Sequence, residues 1–356
     1  MPFRFPRALT LSAFATVLAL SACGSGTQGE PAAGAAPKAQ DQAPEQAQNQ
    51  AGAAFPVTID SALGKATITA QPKRIVTLGQ GSAETAIALG TVPVGIESYA
   101  WGSDPKTGYL PWIHEAVTKA GGTLPKQFDG GEDIDVETIV ELAPDVILAP
   151  WSGITKEQYA VLSGIAPTVA YPDLPWSTNW DQQIEIIAKA LGRPADGPKL
   201  IEQTRARLAD AAATRPAYKD VSFSYVYTTG PGTLGVFKPE EQRVEMLTSL
   251  GLRVDPVVET FKETEGTDSA LIGLENARKL AGSDLIFTFY TDAKTRKEIE
   301  AQKLYAAIPA VGRGGVVASD DNPFVTASSI INPLTVPWVI DRYLPLIDKA
   351  VATVEK

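Results

Sequence analysis

NWDQQIEIIAKALGRPADGPKLIEQTRARLADAAA, residues 179–213, decides the architecture of this chain. Helix signals run from Asn179 to Leu191, stop at Gly192-Arg193-Pro194, and resume with Leu200, Ile201, Thr204 and Leu208 on one stripe. Residues three and four apart share a helix face, so the stripe reads as the apolar side of a second helix. No strand-like run interrupts the stretch, and what flanks it is of a different kind.

On the N-terminal side, strands and helices alternate. Arg74-Ile75-Val76-Thr77-Leu78-Gly79 is a β-rich run, and Ala83 to Leu89 is a helix closed by Gly90. Val94-Gly95-Ile96 starts a second strand, and Val136 to Leu142 is a short helix. Val146-Ile147-Leu148-Ala149 is a strand, Lys156 to Leu162 a helix, and Thr168-Val169-Ala170-Tyr171 another strand. The C-terminal side repeats the pattern, with strands over Val221–Tyr227, Asp284–Tyr290 and Val316–Ser319. Helices are expected over Glu240–Leu250, before Gly251, and over Leu334–Val354. Continuous apolar runs between short helices indicate parallel sheets covered on both faces. Two α/β units with only helix between them make two lobes joined by a helical strut.

The chain begins differently. Arg4 and Arg7 precede an apolar stretch from Ala8 to Leu20, followed by Leu20-Ser21-Ala22-Cys23. A basic start, a short apolar run and small residues at the cut describe a secretory signal over residues 1–22. The run is shorter than the roughly 20 residues a membrane-crossing helix needs. Leu-Ser-Ala-Cys also resembles the bacterial lipobox, which makes Cys23 the site of diacylglycerol attachment. Gly24 to Ala54 is rich in Ala, Gln, Gly and Pro and has no Leu, Ile, Val or aromatic residue. Such a segment cannot bury enough apolar surface to offset ordering, and is expected to be a disordered tether with a reach on the order of 30 Å. The expected domains are therefore a leader (1–22), a lipidated cysteine and linker (23–54), a first α/β lobe (55–178), connecting helices (179–214) and a second α/β lobe (215–356).

Composition bounds the function. With 44% hydrophobic and 20% charged residues the chain is ordinary globular material. Its formal charge of −10 becomes more negative once Arg4 and Arg7 are removed, which argues against nucleic acid or anionic lipid as a surface partner. Cys23 is the only cysteine, so no disulfide is expected and core packing must stabilise the fold.

At this point the sequence resembles the siderophore, cobalamin and haem class of solute-binding proteins of ABC importers, from about Phe55 to the C-terminus. The resemblance is carried by Pro72-Lys73-Arg74-Ile75-Val76-Thr77-Leu78, by Glu84 to Gly90, by Val92-Pro93-Val94-Gly95, and by Asp135 to Ile147. In the second half it is carried by Gly273-Leu274-Glu275-Asn276 to Leu280, Asp284 to Phe287, Ile308 to Val311, and Gly315-Val316-Val317. It implies an α/β fold of two Rossmann-like lobes with central, mostly parallel sheets, joined by a single long helix. It also implies a monomer at the extracytoplasmic face of the membrane, held there by lipid alone, that delivers a ferric siderophore to an ABC permease dimer. In the family one glutamate per lobe meets permease arginines, and Glu137 and Glu275 occupy the matching positions. By the residues alone, either could be a solvated acid in a helix's first turn.

Open α/β sheets bind ligands outside the carboxyl ends of their strands, so the loops there should line the cleft. Tyr99 and Trp101 follow the second strand, Trp151 follows Pro150, and Trp176 and Trp180 flank the entry to the connecting helices. Tyr227 and Tyr290 end second-lobe strands, and Phe237 lies with the glycine-rich stretch Gly230 to Gly235. Aromatic residues just past strand ends point to ligand contact, although Trp180, at a helix start, could equally pack inward. Polar candidates are Gln80, Ser82, Arg243 and Asn322, with Arg243 preferred over Arg296 and Arg313 as a donor to an anionic chelate. The stretch Gly230 to Gly235 lacks the Lys-Ser/Thr ending of a phosphate loop and reads as a strand-to-helix connection lining the cleft.

A bare zinc or manganese site uses several His, Cys or carboxylate ligands, and this chain has one histidine, His114. A siderophore supplies its own oxygen ligands, so no protein-held metal and no cofactor is expected. Haem is the alternative ligand, because one His and one Tyr can serve as axial ligands. There is no Gly-x-Ser-x-Gly elbow, and the chain is read as a binding protein, not an enzyme. The residues do not choose among catecholate, hydroxamate and carboxylate chelates.

Overall fold

The structure is a computed structural model, and it describes residues 55–354 apart from 229, 231, 265 and 266. The leader, Cys23 and the linker lie outside the described residues.

The first lobe opens with an antiparallel hairpin, β1 (Val57–Ser61) and β2 (Gly64–Ile68). It continues through β3 (Ile75–Thr77), α1 (Ser82–Ala88), β4 (Gly95–Glu97), α2 (Pro111–Lys119), β5 (Lys126–Phe128), α3 (Val136–Glu141), β6 (Val146–Leu148), α4 (Lys156–Ser163) and β7 (Thr168–Val169). Its five-stranded sheet is parallel, in the order β5-β4-β3-β6-β7. All three residues of β6 are wholly buried, the continuous apolar reading expected of a strand covered on both faces. Each such side chain contributes roughly 1.5–3 kcal/mol by leaving water.

The bridge is a pair of helices, α5 (Trp180–Ala190) and α6 (Gly197–Ala213), broken where the Gly-Arg-Pro signal falls. Gly192 has φ of +72° and takes the chain out of α5. Ile187 and Ala188 of α5 pack into the first lobe against the hairpin, so α6 is the member that crosses.

The second lobe runs through β8 (Ser222–Tyr227), β9 (Gly235–Phe237), α7 (Gln242–Ser249), β10 (Arg253–Val254), β11 (Ser269–Leu271), β12 (Leu285–Phe289), α8 (Ala293–Glu300), α9 (Lys303–Ala306), α10 (Pro309–Gly312), β13 (Val316–Ser319), α11 (Asn322–Ala327) and α12 (Thr335–Val351). Strands β10, β8, β12 and β13 are parallel, while β9 and β11 add an antiparallel edge. This corrects the reading of Gly230 to Gly235. The segment closes a β8–β9 hairpin instead of leading from a strand into a helix, and its Leu234 is buried in the second lobe's own core.

One hydrophobic cluster belongs to both lobes. Ile96, Trp112, Ile113 and Val117 of the first share it with Ile201 and Leu208 of α6 and with Phe324, Val336 and Ile340 of the second. At that seam the rings of Trp112 and Trp338 meet at 5.6 Å, and Trp338 donates its indole N–H to Glu115 at 3.1 Å. Such packing opposes wide hinge motion between the lobes.

Candidate ligand-binding cleft

Taken in chain order from β3, the first-lobe sheet has the order 3-2-1-4-5, which places its topological switch between β3 and β6. The loops leaving those strands nearly touch. Gly79 has φ of +71°, and a Cβ there would lie 1.8 Å from the carbonyl oxygen of Trp151, so only glycine lets the two loops meet. Gln80 and Trp151 are thereby set side by side at the carboxyl edge, with Tyr99 and Trp101 from the loop after β4.

Facing them across the cleft are Glu241, Gln242 and Arg243 at the start of α7, Phe289 at the end of β12, and Val325, Thr326 and Ser329 around α11. With Gln80, Tyr99, Trp101 and Trp151, these residues enclose about 290 Å³. The lobes come close at its edge, where a Cβ on Gly102 would lie 2.5 Å from Oγ1 of Thr326.

The two walls differ in electrostatics. Arg243 donates to the carboxylate of Glu241 and, at 3.1 Å, to Oγ of Ser329. Its guanidinium lies 4.6 Å from the Phe237 ring centre and 5.7 Å from that of Phe289. Burial pushes the Glu241 carboxyl upward, and the charge of Arg243 opposes that rise.

A second cavity of about 240 Å³ opens within the first lobe, sharing Gln80, Tyr99 and Trp151 with the inter-lobe space. Trp151 and Trp176 meet edge to face at 4.8 Å on its wall. Trp176 is half exposed and holds φ of +61°, uncommon for a bulky residue. Glu84 and Glu97 also line this cavity. The Glu84 carboxylate accepts the Trp112 indole N–H at 2.9 Å and the Gly81 amide at 3.0 Å. Glu97 accepts the Gly79 amide at 2.7 Å. Burial pushes both carboxyls upward, and these hydrogen bonds oppose it. A third, open groove of about 600 Å³ runs between Trp101 and Asp104 on one lobe and Asp320, Asp321 and Asn322 on the other. There Oδ1 of Asn322 is buried with no protein partner.

Of the sequence-predicted residues, Gln80, Tyr99, Trp101, Trp151 and Arg243 therefore converge on one cavity. Trp176 lines the side cavity and Asn322 the groove. Four expectations need correction. Ser82 is fully buried in the first turn of α1, where Oγ accepts from Nε2 of Gln183. Tyr290 is 2% exposed, because its ring turns into the second-lobe core beside Tyr305. Tyr227 shares a hydrogen bond with Ser269, packs at 4.8 Å on Phe237 and lines none of the described cavities. Phe237 acts beneath Arg243 as a platform rather than as a lining residue. Trp180 packs inward and donates to Glu245 at 2.8 Å, bridging α5 to α7.

Reading the sequence missed Glu97, Glu241 and Phe289. Glu97 carried a signal, an acid closing the apolar strand Val94-Gly95-Ile96. His114 packs 6.3 Å from Tyr109 on α2 and lines none of the described cavities. Glu137 stands exposed in the first turn of α3, whose cap is Asp135, and Glu275 stands exposed at the start of a 3-10 segment, Leu274–Gly282.

A family model described as a periplasmic binding protein matches residues 75–323. The chain is 28% identical over 284 residues to a probable siderophore-binding lipoprotein, YfiY, of Bacillus subtilis, covering 77% of this chain and 83% of the relative. It is 25% identical over 281 residues to the Fe(3+) dicitrate-binding periplasmic protein FecB of Escherichia coli, covering 78% and 86%. Among solved structures, PiaA of Streptococcus pneumoniae in complex with ferrichrome superposes with a TM-score of 0.75 at 32% identity, over 83% of this chain and 99% of PiaA.

Proposed function

This chain belongs to the periplasmic binding protein family, and from that footing we propose that it captures a ferric siderophore outside the cytoplasm and hands it to an ABC importer permease. The observation that carries the reading is the inter-lobe cavity, in which Tyr99, Trp101 and Trp151 on one wall face Arg243 on the other. Flat aromatic faces cover a bulky chelate, and a preorganised guanidinium donates to its oxygen atoms. Among the described residues no three His, Cys, Asp or Glu side chains are grouped to hold a metal ion. The iron's oxygen ligands in this reading are the chelate's own. A haem reading that uses His114 gains no support from a histidine that lines none of the described cavities.

Delivery is assigned to Glu137 and Glu275, one exposed acid on each lobe, meeting basic residues of a permease dimer. The protein acts as a monomer, tethered by lipid on Cys23 through the linker. No helix among the described residues is long and apolar enough to cross a membrane.

Titration with ferric siderophores tests the capture, read by intrinsic fluorescence of Trp101, Trp151 and Trp176. Saturable quenching is expected, and no response to any ferric chelate ends the reading. Glu137→Ala combined with Glu275→Ala is expected to abolish cellular iron uptake while leaving that quenching intact. Undiminished uptake removes the docking assignment.

A further inference from the structure

The charges around the cleft favour one class of chelate. Arg243 is the only basic residue lining the described cavities, and Glu241 already pairs with it. Glu84 and Glu97 line the side cavity with no basic side chain among its lining residues, while in the groove Asp104 and Asp320, which line it with Asp321, have Lys106 and Arg296 nearby. A multiply anionic catecholate or citrate complex would be drawn out of water into an acidic surround, which costs free energy. A neutral or cationic complex meets no such opposition.

The side cavity is also shaped for a cation. Tyr99, Trp151 and Trp176 wall it, and aromatic faces attract positive charge. Glu97 stands among them, only partly buried. The backbone amide of Gly79 holds its carboxylate in place. A carboxylate has about four lone-pair sites, so the Gly79 amide leaves capacity for a further donor from the cavity. Because Gln80, Tyr99 and Trp151 line both this cavity and the inter-lobe space, a chelate seated between the lobes has an adjoining chamber for one side arm.

We infer that the first-lobe cavity takes a protonated amine on a side arm of the chelate, held by Glu97 within the Tyr99–Trp151–Trp176 enclosure, and that the protein's ligands are neutral-to-cationic ferric hydroxamates. The inference rests on the siderophore reading above.

The test compares three ferric complexes on the full-length protein: a linear trihydroxamate ending in a primary amine, the same chelate N-acetylated, and a tris-catecholate. The amine form is expected to bind about tenfold more tightly than its acetylated partner, the scale of a partly desolvated cation among aromatic rings, and the catecholate more weakly than both. In Glu97→Gln, which keeps an oxygen acceptor for the Gly79 amide, the gap between the two hydroxamates is expected to narrow to within about twofold. Equal affinities in the unaltered protein overturn the amine pocket while leaving siderophore capture standing, and this comparison needs no variant to fold. A gap that persists in Glu97→Gln, or a preference for the catecholate, overturns it too. Failure of every ferric chelate to bind ends both the inference and the reading beneath it.

Discussion

The two walls of the cleft solve different problems. On the first lobe, Tyr99 is 37% exposed and Trp176, on the adjoining side cavity, 51% exposed, and their rings touch other aromatic rings rather than fixed donors. On the second, Arg243 is tied to Glu241 and Ser329 and laid over Phe237 and Phe289 before any ligand arrives. The first wall offers apolar area that can be covered; the second offers a donor whose freedom is already spent. A prepaired donor loses little entropy on binding, whereas exposed aromatics gain most from leaving water. Affinity should therefore reside mainly on the first wall and orientation on the second.

Three substitutions separate these roles. The largest effect is expected at the seam that holds the walls in register. Trp112→Ala removes a buried ring and strips Glu84 of its indole donor, at a cost of about 3–5 kcal/mol in stability. Denaturant unfolding measures it, and a loss below about 1 kcal/mol would show that the walls do not depend on the shared core. Trp151→Ala comes next, since that ring lines both cavities. Affinity for the ferric chelate is expected to fall about tenfold or more while the unfolding midpoint changes little. Arg243→Lys should be milder, a severalfold loss, because the point charge survives but the planar stacking and the forked donors do not. If calorimetric titration found the lysine variant weaker than the alanine one, the division of labour would be reversed.

Much of this was legible in the residues. Val146-Ile147-Leu148 announced a strand buried on both faces, and Gly-Arg-Pro announced the break between α5 and α6. β5 was not legible, because Lys126-Gln127-Phe128 is an edge strand in which only Phe128 is buried. The β8–β9 hairpin was hidden by a glycine-rich stretch that serves equally well before a helix. In the site, the error at Tyr290 is one of parity. Successive side chains on a strand point to opposite faces, and on β12 it is Phe289, one residue earlier, that reaches the cleft. Ser82 failed for a related reason, since the first turn of α1 points it inward at Gln183. Tyr99, Trp101 and Trp151 reach the inter-lobe cavity as expected because their position depends only on where a strand ends, not on which way a side chain turns.

The hydrophobic cluster common to both lobes has a thermal consequence. Heat cannot melt one half while sparing the other, because exposing Trp112 also exposes Trp338. The molecule should come apart in a single cooperative transition despite its two-part layout. Any chelate occupying the cleft then stabilises the whole molecule, by about 2.7 kcal/mol when its free concentration is a hundred times Kd.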